Sequence, residues 1–180
     1  MNRNAGLVVM ALCLLPATAF AQSVGEKSGV NSVLGVTPST ADFAKEAATS
    51  DMMEIESSKI AQQRGTPEQK TFAAQMIADH SKTSAELKQL VSSGDAKVAV
   101  PSALDDSSQK KLNNLRDAKP ENFARDYSAM QVSAHKDAVS LFERYSKGGE
   151  NPKLKDWAGK TLPALQHHLE MAQTMEKNRK

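Results

Sequence analysis

Apolar residues recur at spacings of three and four along four long segments of this 180-residue chain, and this pattern limits its fold more than any other feature. Such spacing places apolar side chains along one face of an α-helix. No segment sustains the alternation of apolar and polar residues that a half-buried β-strand requires. Aromatic residues, which favour strands, make up only 4% of the chain. The sequence therefore predicts an all-α protein.

Glycine, proline and capping residues mark the ends of the predicted helices. Gly65 ends the first helix, and Thr66 opens the second, with Pro67 at its first position and Gln69 placed to reach back. Asn151 is the predicted capping residue of the last helix. We expect helices over residues 42–63, 67–91, 105–117, 120–146 and 152–176.

The links between these segments predict how the helices are arranged. Short links join the first long helix to the second and the third to the fourth, which is typical of antiparallel neighbours. The link between the second and third long helices is longer and carries the short helix. We therefore predict an up-and-down four-helix bundle with a short extra helix in the link between helices two and three.

Residues 1–21 have the pattern of a secretory signal peptide. A positive residue near the start is followed by an uninterrupted apolar run over residues 7–15, and Ala19-Phe20-Ala21 forms a small-x-small cleavage site. The run is shorter than the roughly 20 residues that a membrane-spanning helix needs. We expect cleavage after Ala21, export to the periplasm, and no transmembrane anchor in the mature chain.

The remaining chain divides into three parts. Residues 22–41 are rich in Ser, Gly, Thr and Val without periodicity, which predicts a disordered tether. Residues 42–176 form the predicted bundle domain, and residues 177–180 a short basic tail in solvent. The 23 Lys and Arg residues are interleaved with 21 Asp and Glu residues. Because no basic stripe with interleaved aromatics is present, we expect no nucleic-acid partner.

Four polar residues fall where core residues are expected. Glu54, His80, His135 and His168 each lie near the middle of a different long helix, on or beside its apolar face. In a bundle these side chains would meet at one level. A buried carboxylate needs a cation or hydrogen-bond donors, because an unpaired buried charge costs several kcal/mol. Three imidazoles could supply them, as protonated histidines or through a shared metal.

Two interpretations follow from this cluster. In the first, Glu54, His80, His135 and His168 bind one transition-metal ion, with zinc, iron, manganese and copper all open, for metal buffering or envelope stress defence. In the second, the protein is a structural or partner-binding envelope protein, and the cluster only sets helix register. Asp79 or Asp126 would fix the tautomer of a ligating histidine if it reached the ring, but we interpret both as ordinary surface carboxylates. No phosphate-binding loop or nucleophile elbow is present, so the sequence favours a protein that is not an enzyme without deciding the question.

The order of these residues resembles an exported bacterial family, domain of unknown function 4142, which is grouped with ferritin-like helix bundles. The resemblance spans residues 42–175. The matching residues are Ala47-Ala48 and Met53-Glu54-Ile55, Phe72 and Met76-Ile77-Ala78-Asp79-His80, Pro101, Phe123, Tyr127 and His135, and Leu162-Pro163 and His168-Leu169.

This resemblance implies a ferritin-like four-helix architecture and an envelope location, but no established reaction. The chain departs from the family pattern at Asp51 and Ala124, so the resemblance assigns neither position a role. Di-iron carboxylate bundles use Glu-x-x-His pairs on two helices. No acidic residue precedes any histidine by three positions here, which argues against a di-iron centre.

Overall fold

A computed structural model of the protein describes residues 35–93 and 98–178. The predicted signal peptide, most of the predicted tether and the last two residues of the basic tail lie outside these ranges. In the part that is described, the fold is all-helical, without strands. Five helices follow one another in these ranges: α1 (Thr40–Arg64), α2 (Pro67–Ser93), α3 (Asp106–Asp117), α4 (Pro120–Gly148) and α5 (Pro152–Lys177).

The predicted capping residues hold the helix ends. Thr66 and Gln69 form a reciprocal capping box, since each backbone N–H donates to the side-chain oxygen of the other at 3.1 and 3.2 Å. The Asn151 side chain accepts from two backbone N–H groups in the first turn of α5. At Gly65 an added Cβ would lie 2.7 Å from the carbonyl oxygen of Ala61, so the turn between α1 and α2 has no room for a side chain.

Neighbouring long helices run antiparallel. Phe43 in α1 contacts Phe142 in α4, whereas Ser58, later in α1, contacts Tyr127, earlier in α4. The helices α1 and α2 pack together, as do α4 and α5, and the pairs α1–α4 and α2–α5 complete a ring. The short helix α3 packs against α1 and α4.

Two apolar clusters fill the interior, one toward each end of the long helices. The first contains Phe43, Ala44, Ala47, Ala48, Leu87, Val91, Ala138, Leu141, Phe142, Tyr145, Leu154, Trp157, Ala158 and Leu165. The second contains Ile60, Ala61, Phe72, Ala73, Met76, Leu112, Leu115, Phe123, Tyr127, Val132, Ala172 and Met175.

A buried polar layer separates the two clusters. On each long helix it lies between the residues of one cluster and those of the other, so it crosses the middle of the molecule. We use the name polar layer for five residues: Asp51, Glu54, His80, His135 and His168.

The predicted helices are confirmed, and no helix end differs from its predicted position by more than two residues. Helix α1 begins at Thr40, because Ser39 caps it by accepting from the Asp42 N–H. Leu112 and Leu115 are buried, as expected for the inward face of α3. Among the described residues, no helix is both long and apolar enough to cross a membrane.

Candidate metal centre

The four residues singled out from the sequence all lie in the interior. Their relative exposures are 2% for Glu54, 2% for His80, 1% for His135 and 3% for His168. Each stands on a different long helix and lies between the two apolar clusters. The predicted inward orientation of these side chains is therefore confirmed, and the neighbouring His167 is exposed.

The three imidazoles converge. Their ring centroids are 5.7 Å apart for His80 and His135, 5.6 Å for His80 and His168, and 5.5 Å for His135 and His168. One ring nitrogen from each histidine can be chosen so that all three lie within 4.8 Å of one another. Such an arrangement offers up to three nitrogen ligands to one ion.

Each imidazole is also held through one of its two nitrogens. His80 Nδ1 lies 2.8 Å from Asp51 Oδ1, and His168 Nε2 lies 2.9 Å from Asp79 Oδ2. His135 Nδ1 lies 2.9 Å from the backbone carbonyl of Gln131. Metal-binding histidines are characteristically oriented in this way, with one N–H bound to a carboxylate or a carbonyl.

The other nitrogen of each ring is buried and has no hydrogen-bond partner in the described structure. These atoms are His80 Nε2, His135 Nε2 and His168 Nδ1. A buried polar atom without a partner costs roughly 1–3 kcal/mol, so three in one layer call for an explanation. A shared cation would satisfy all three at once.

The hydrogen bond of His135 shows which ring nitrogen carries a hydrogen. A carbonyl oxygen only accepts, so His135 Nδ1 must carry the hydrogen and donate it. Burial, together with the charge of His80, lowers the pKa of His135 to about 3. His135 is therefore neutral near pH 7, and its Nε2 presents a lone pair to the interior. Burial and the charge of His80 also lower the pKa of His168.

His80 differs from the other two imidazoles. Burial lowers its pKa, but the hydrogen bond that His80 donates to Asp51 and the charges of Glu54 and Asp51 outweigh this, and the net shift is upward. Burial also raises the pKa of Asp51, against the stabilising effect of His80. The Thr83 hydroxyl donates a second hydrogen bond to Asp51 Oδ1 at 2.9 Å. Without a metal, His80 is thus the imidazole that most readily holds a proton.

Glu54 lies beside the three imidazoles rather than among them. Its Oε1 is 4.0 Å from His135 Nδ1, and its Oε2 is buried without a hydrogen-bond partner. Burial raises the pKa of Glu54 to about 7, against the lowering effect of His80 and Gln131. The side chain is not one of the three whose ligand atoms meet within 4.8 Å. To act as a ligand, it would have to turn toward the histidines.

The donor set fits a mononuclear transition-metal ion. Nitrogen ligands lie roughly 2.0–2.1 Å from zinc, so two nitrogens of a tetrahedral site are separated by about 3.3 Å. The three histidine nitrogens lie within 4.8 Å of one another, a wider spacing than the tetrahedral site requires. Movement of each ring by about 1 Å toward a shared ion would bring the nitrogens to the tetrahedral spacing. Neutral imidazoles with a buried carboxylate nearby suit zinc, iron, manganese or copper.

A comparison with models of protein families shows which family the chain belongs to. The model of the family described as Domain of unknown function (DUF4142) matches residues 25–175. The chain belongs to this family. The matched residues of this DUF4142 protein include Glu54 and the three histidines. Neither the curated proteins nor the solved structures give a significant match to it.

Of the histidine partners in this DUF4142 protein, Asp79 was the less favoured alternative, and Asp51 and the Gln131 carbonyl were not predicted from the sequence. The interpretation of Asp79 as an ordinary surface carboxylate is wrong, because it is half-exposed but bonded to buried His168. Asp126 does pair with exposed Arg125 at the surface. Asp51, to which the resemblance assigned no role, holds His80 through a hydrogen bond. Its position on the apolar face of the first helix, where it is buried, was the available signal.

Proposed function

We propose that this DUF4142 protein is an exported, periplasmic helical protein that binds one transition-metal ion in its core. In this proposal the ligands are the three imidazole nitrogens without hydrogen-bond partners, which we call the inward nitrogens: His80 Nε2, His135 Nε2 and His168 Nδ1. Glu54 completes the set of ligands. The helices are proposed to form a ferritin-like, up-and-down four-helix bundle, which their antiparallel contacts support. The function is buffering of the metal or defence of the envelope against stress.

One observation carries the proposal. Three buried imidazole nitrogens without hydrogen-bond partners belong to rings that are each held through the opposite nitrogen. A cluster that only needed internal hydrogen bonds would use both nitrogens of at least some rings. Here every inward nitrogen is left for a shared partner. A divalent cation would also offset the negative charge of Asp51 and Glu54.

Metal content provides the direct test. Protein purified from the periplasm is expected to contain close to one equivalent of one transition metal by elemental analysis. After removal of that metal with a chelator, calorimetric titration should restore one equivalent. In His135→Ala, metal affinity should fall on the order of 100-fold or more, since a removed ligand costs at least as much as a removed ligand partner.

His167→Ala is the matched control, because His167 is an exposed histidine on the same helix as His168. This variant should retain full affinity, and circular dichroism should show that both variants keep their helices. Absence of bound metal in the unaltered protein would refute the proposal. Equal affinities of the two variants would refute the assignment of the site.

A second candidate function is that of a structural or partner-binding envelope protein without metal. The cross-helix pairs favour it, since Asp51–His80 links α1 to α2 and Asp79–His168 links α2 to α5. Such pairs can set helix register by themselves. In that case, chelator and added divalent ions would both leave the melting temperature unchanged.

A further inference from the structure

The buried position of the three histidines raises the question of how an ion would reach them. No side chain of the three is more than 3% exposed, and apolar clusters lie on both sides along the helix axes. An ion must therefore enter from the side, between two helices. The four seams of the ring differ in how they meet the polar layer.

The seam between α2 and α5 contains a groove of about 590 Å³, which we call the α2/α5 groove. Its lining includes Asp79, Thr83, Glu86, Trp157, Thr161 and Ala164. These two helices pack over a smaller region than the helices of either hairpin. The seam is therefore more open than those that join α1 to α2 and α4 to α5.

The α2/α5 groove is linked to two of the three imidazoles by hydrogen-bonded side chains. Asp79 lines the groove, has a side chain that is 44% exposed, and contacts His168 Nε2 at 2.9 Å. Thr83 also lines the groove and donates to Asp51, which in turn holds His80. The polar layer is thus one residue away from the groove at His168 and two residues away at His80.

The groove on the other side of the ring lacks these links. The α1/α4 groove has a volume of about 490 Å³, and its lining includes Met53, Ala129, Met130, Ala134 and Asp137. None of the three groups that hold the imidazoles lines it. The acidic residues of the α1/α4 groove are Glu46, Asp126 and Asp137, and none of them is among the hydrogen-bond partners of the three imidazoles.

The other charges of the α2/α5 groove are largely matched. Lys160 pairs with Asp156 at 2.6 Å, and Lys82 lies 4.0 Å from Glu86, which also accepts a hydrogen bond from Trp157 Nε1 at 2.9 Å. Asp79 is the acidic side chain of this groove that is bonded to an imidazole of the cluster. A divalent cation that exchanged water for the Asp79 carboxylate would lie beside the His168 ring.

We propose that the α2/α5 groove is the passage by which a hydrated divalent transition-metal ion enters and leaves the histidine cluster, with Asp79 as its first protein ligand. This inference rests on the metal-binding function proposed above. The ion binds Asp79 in the groove, the His168 ring turns as its bond to Asp79 is released, and the ion passes to the inward nitrogens. Asp79 then holds His168 again from outside.

Obstruction of the groove provides the first test, with cobalt(II) as the probe and stopped-flow absorbance as the measurement. Ala164→Trp places an indole in the α2/α5 groove, and Ala129→Trp places one in the α1/α4 groove as the matched control. In Ala164→Trp, we expect association and dissociation both to slow by about tenfold or more, with the equilibrium affinity unchanged within about twofold. Ala129→Trp should behave as the unaltered protein.

Two substitutions of aspartate by asparagine, one for the test and one for its control, provide the second test and avoid bulky side chains. In Asp79→Asn, association should slow by about tenfold and lose much of its dependence on ionic strength, because the carboxylate that attracts the ion is gone. Asp156→Asn is the control, since Asp156 lines the same groove without contacting a histidine. Here the association rate should stay within about twofold of the unaltered protein.

The outcomes separate the passage from the function on which it rests. If the unaltered protein binds cobalt(II) and Ala164→Trp and Asp79→Asn associate at its rate, the passage is wrong and the metal site stands. If the unaltered protein binds none of cobalt(II), zinc(II), copper(II), iron(II) and manganese(II), both proposals are overturned. Slowing in Ala129→Trp alone would place the passage on the α1/α4 side and overturn this inference.

Discussion

Replacement of Glu54 by glutamine should stabilise the metal-free protein at alkaline pH. Burial raises the pKa of Glu54 from 4.5 to about 7. At a pH between 4.5 and about 7, Glu54 is protonated in the folded state and ionised in the unfolded state. The free energy of unfolding of the unaltered protein therefore falls as pH rises through this range. A difference of about 2.5 pKa units corresponds to roughly 3 kcal/mol. Glutamine has no proton to lose and avoids this loss.

Urea unfolding in the presence of a chelator, followed by circular dichroism from pH 4.5 to 8, measures the effect. The difference in unfolding free energy between Glu54→Gln and the unaltered protein should change by about 3 kcal/mol in favour of the variant over this range. Glu170→Gln removes an exposed carboxylate from α5 and serves as the control, with a nearly constant difference. A constant difference for Glu54→Gln as well would refute the reasoning that burial of this carboxylate governs its ionisation.

Three further predictions follow from the core. Tyr127→Phe removes the hydrogen bond to Ser58 and should lower the free energy of unfolding by about 1 kcal/mol in urea titrations, whereas no change would mean that the hydroxyl pair contributes nothing. Leu115→Ala truncates a side chain that is 2% exposed and should cost about 2–5 kcal/mol without changing metal affinity, and a loss of affinity would show that α3 supports the site. Metal affinity should rise with pH through about 7, since Glu54 must lose its proton to act as a ligand, and calorimetry in buffers of different ionisation enthalpy should detect the released proton.

The helices could be predicted from the sequence because their signals are local. Spacings of three and four define the apolar face, and residues such as Gly65, Thr66 and Asn151 act within one turn of the helix end. The end of α1 at Arg64 and the capping box at the start of α2 depend only on neighbouring residues. Such interactions need no knowledge of which helices pack together.

The inward histidines could be predicted because their position on a helix face decides their burial. Their partners could not, because a partner depends on how two helices are rotated and shifted against each other. Asp79 is adjacent to His80 in sequence and points about 100° away from it around the helix. That direction leads to α5, and only the packed structure shows that His168 lies there. The carbonyl of Gln131 carries no side-chain signal at all.

The polar layer makes the folded protein less stable than an apolar layer at the same positions would. Leucine-like side chains at these positions would join the two clusters into one continuous core, whereas the present layer leaves Asp51 Oδ2, Glu54 Oε2 and three imidazole nitrogens buried without hydrogen-bond partners. Each such atom costs roughly 1–3 kcal/mol, a large fraction of the roughly 5–15 kcal/mol that stabilises a typical domain. If the cluster only set helix register, the Asp51–His80 and Asp79–His168 pairs would be sufficient. These pairs do not explain why the inward nitrogens are buried without partners. A ligand that binds only the folded state offsets such a cost by mass action. The inward nitrogens, more than the buried charges, therefore separate a metal site from a structural cluster.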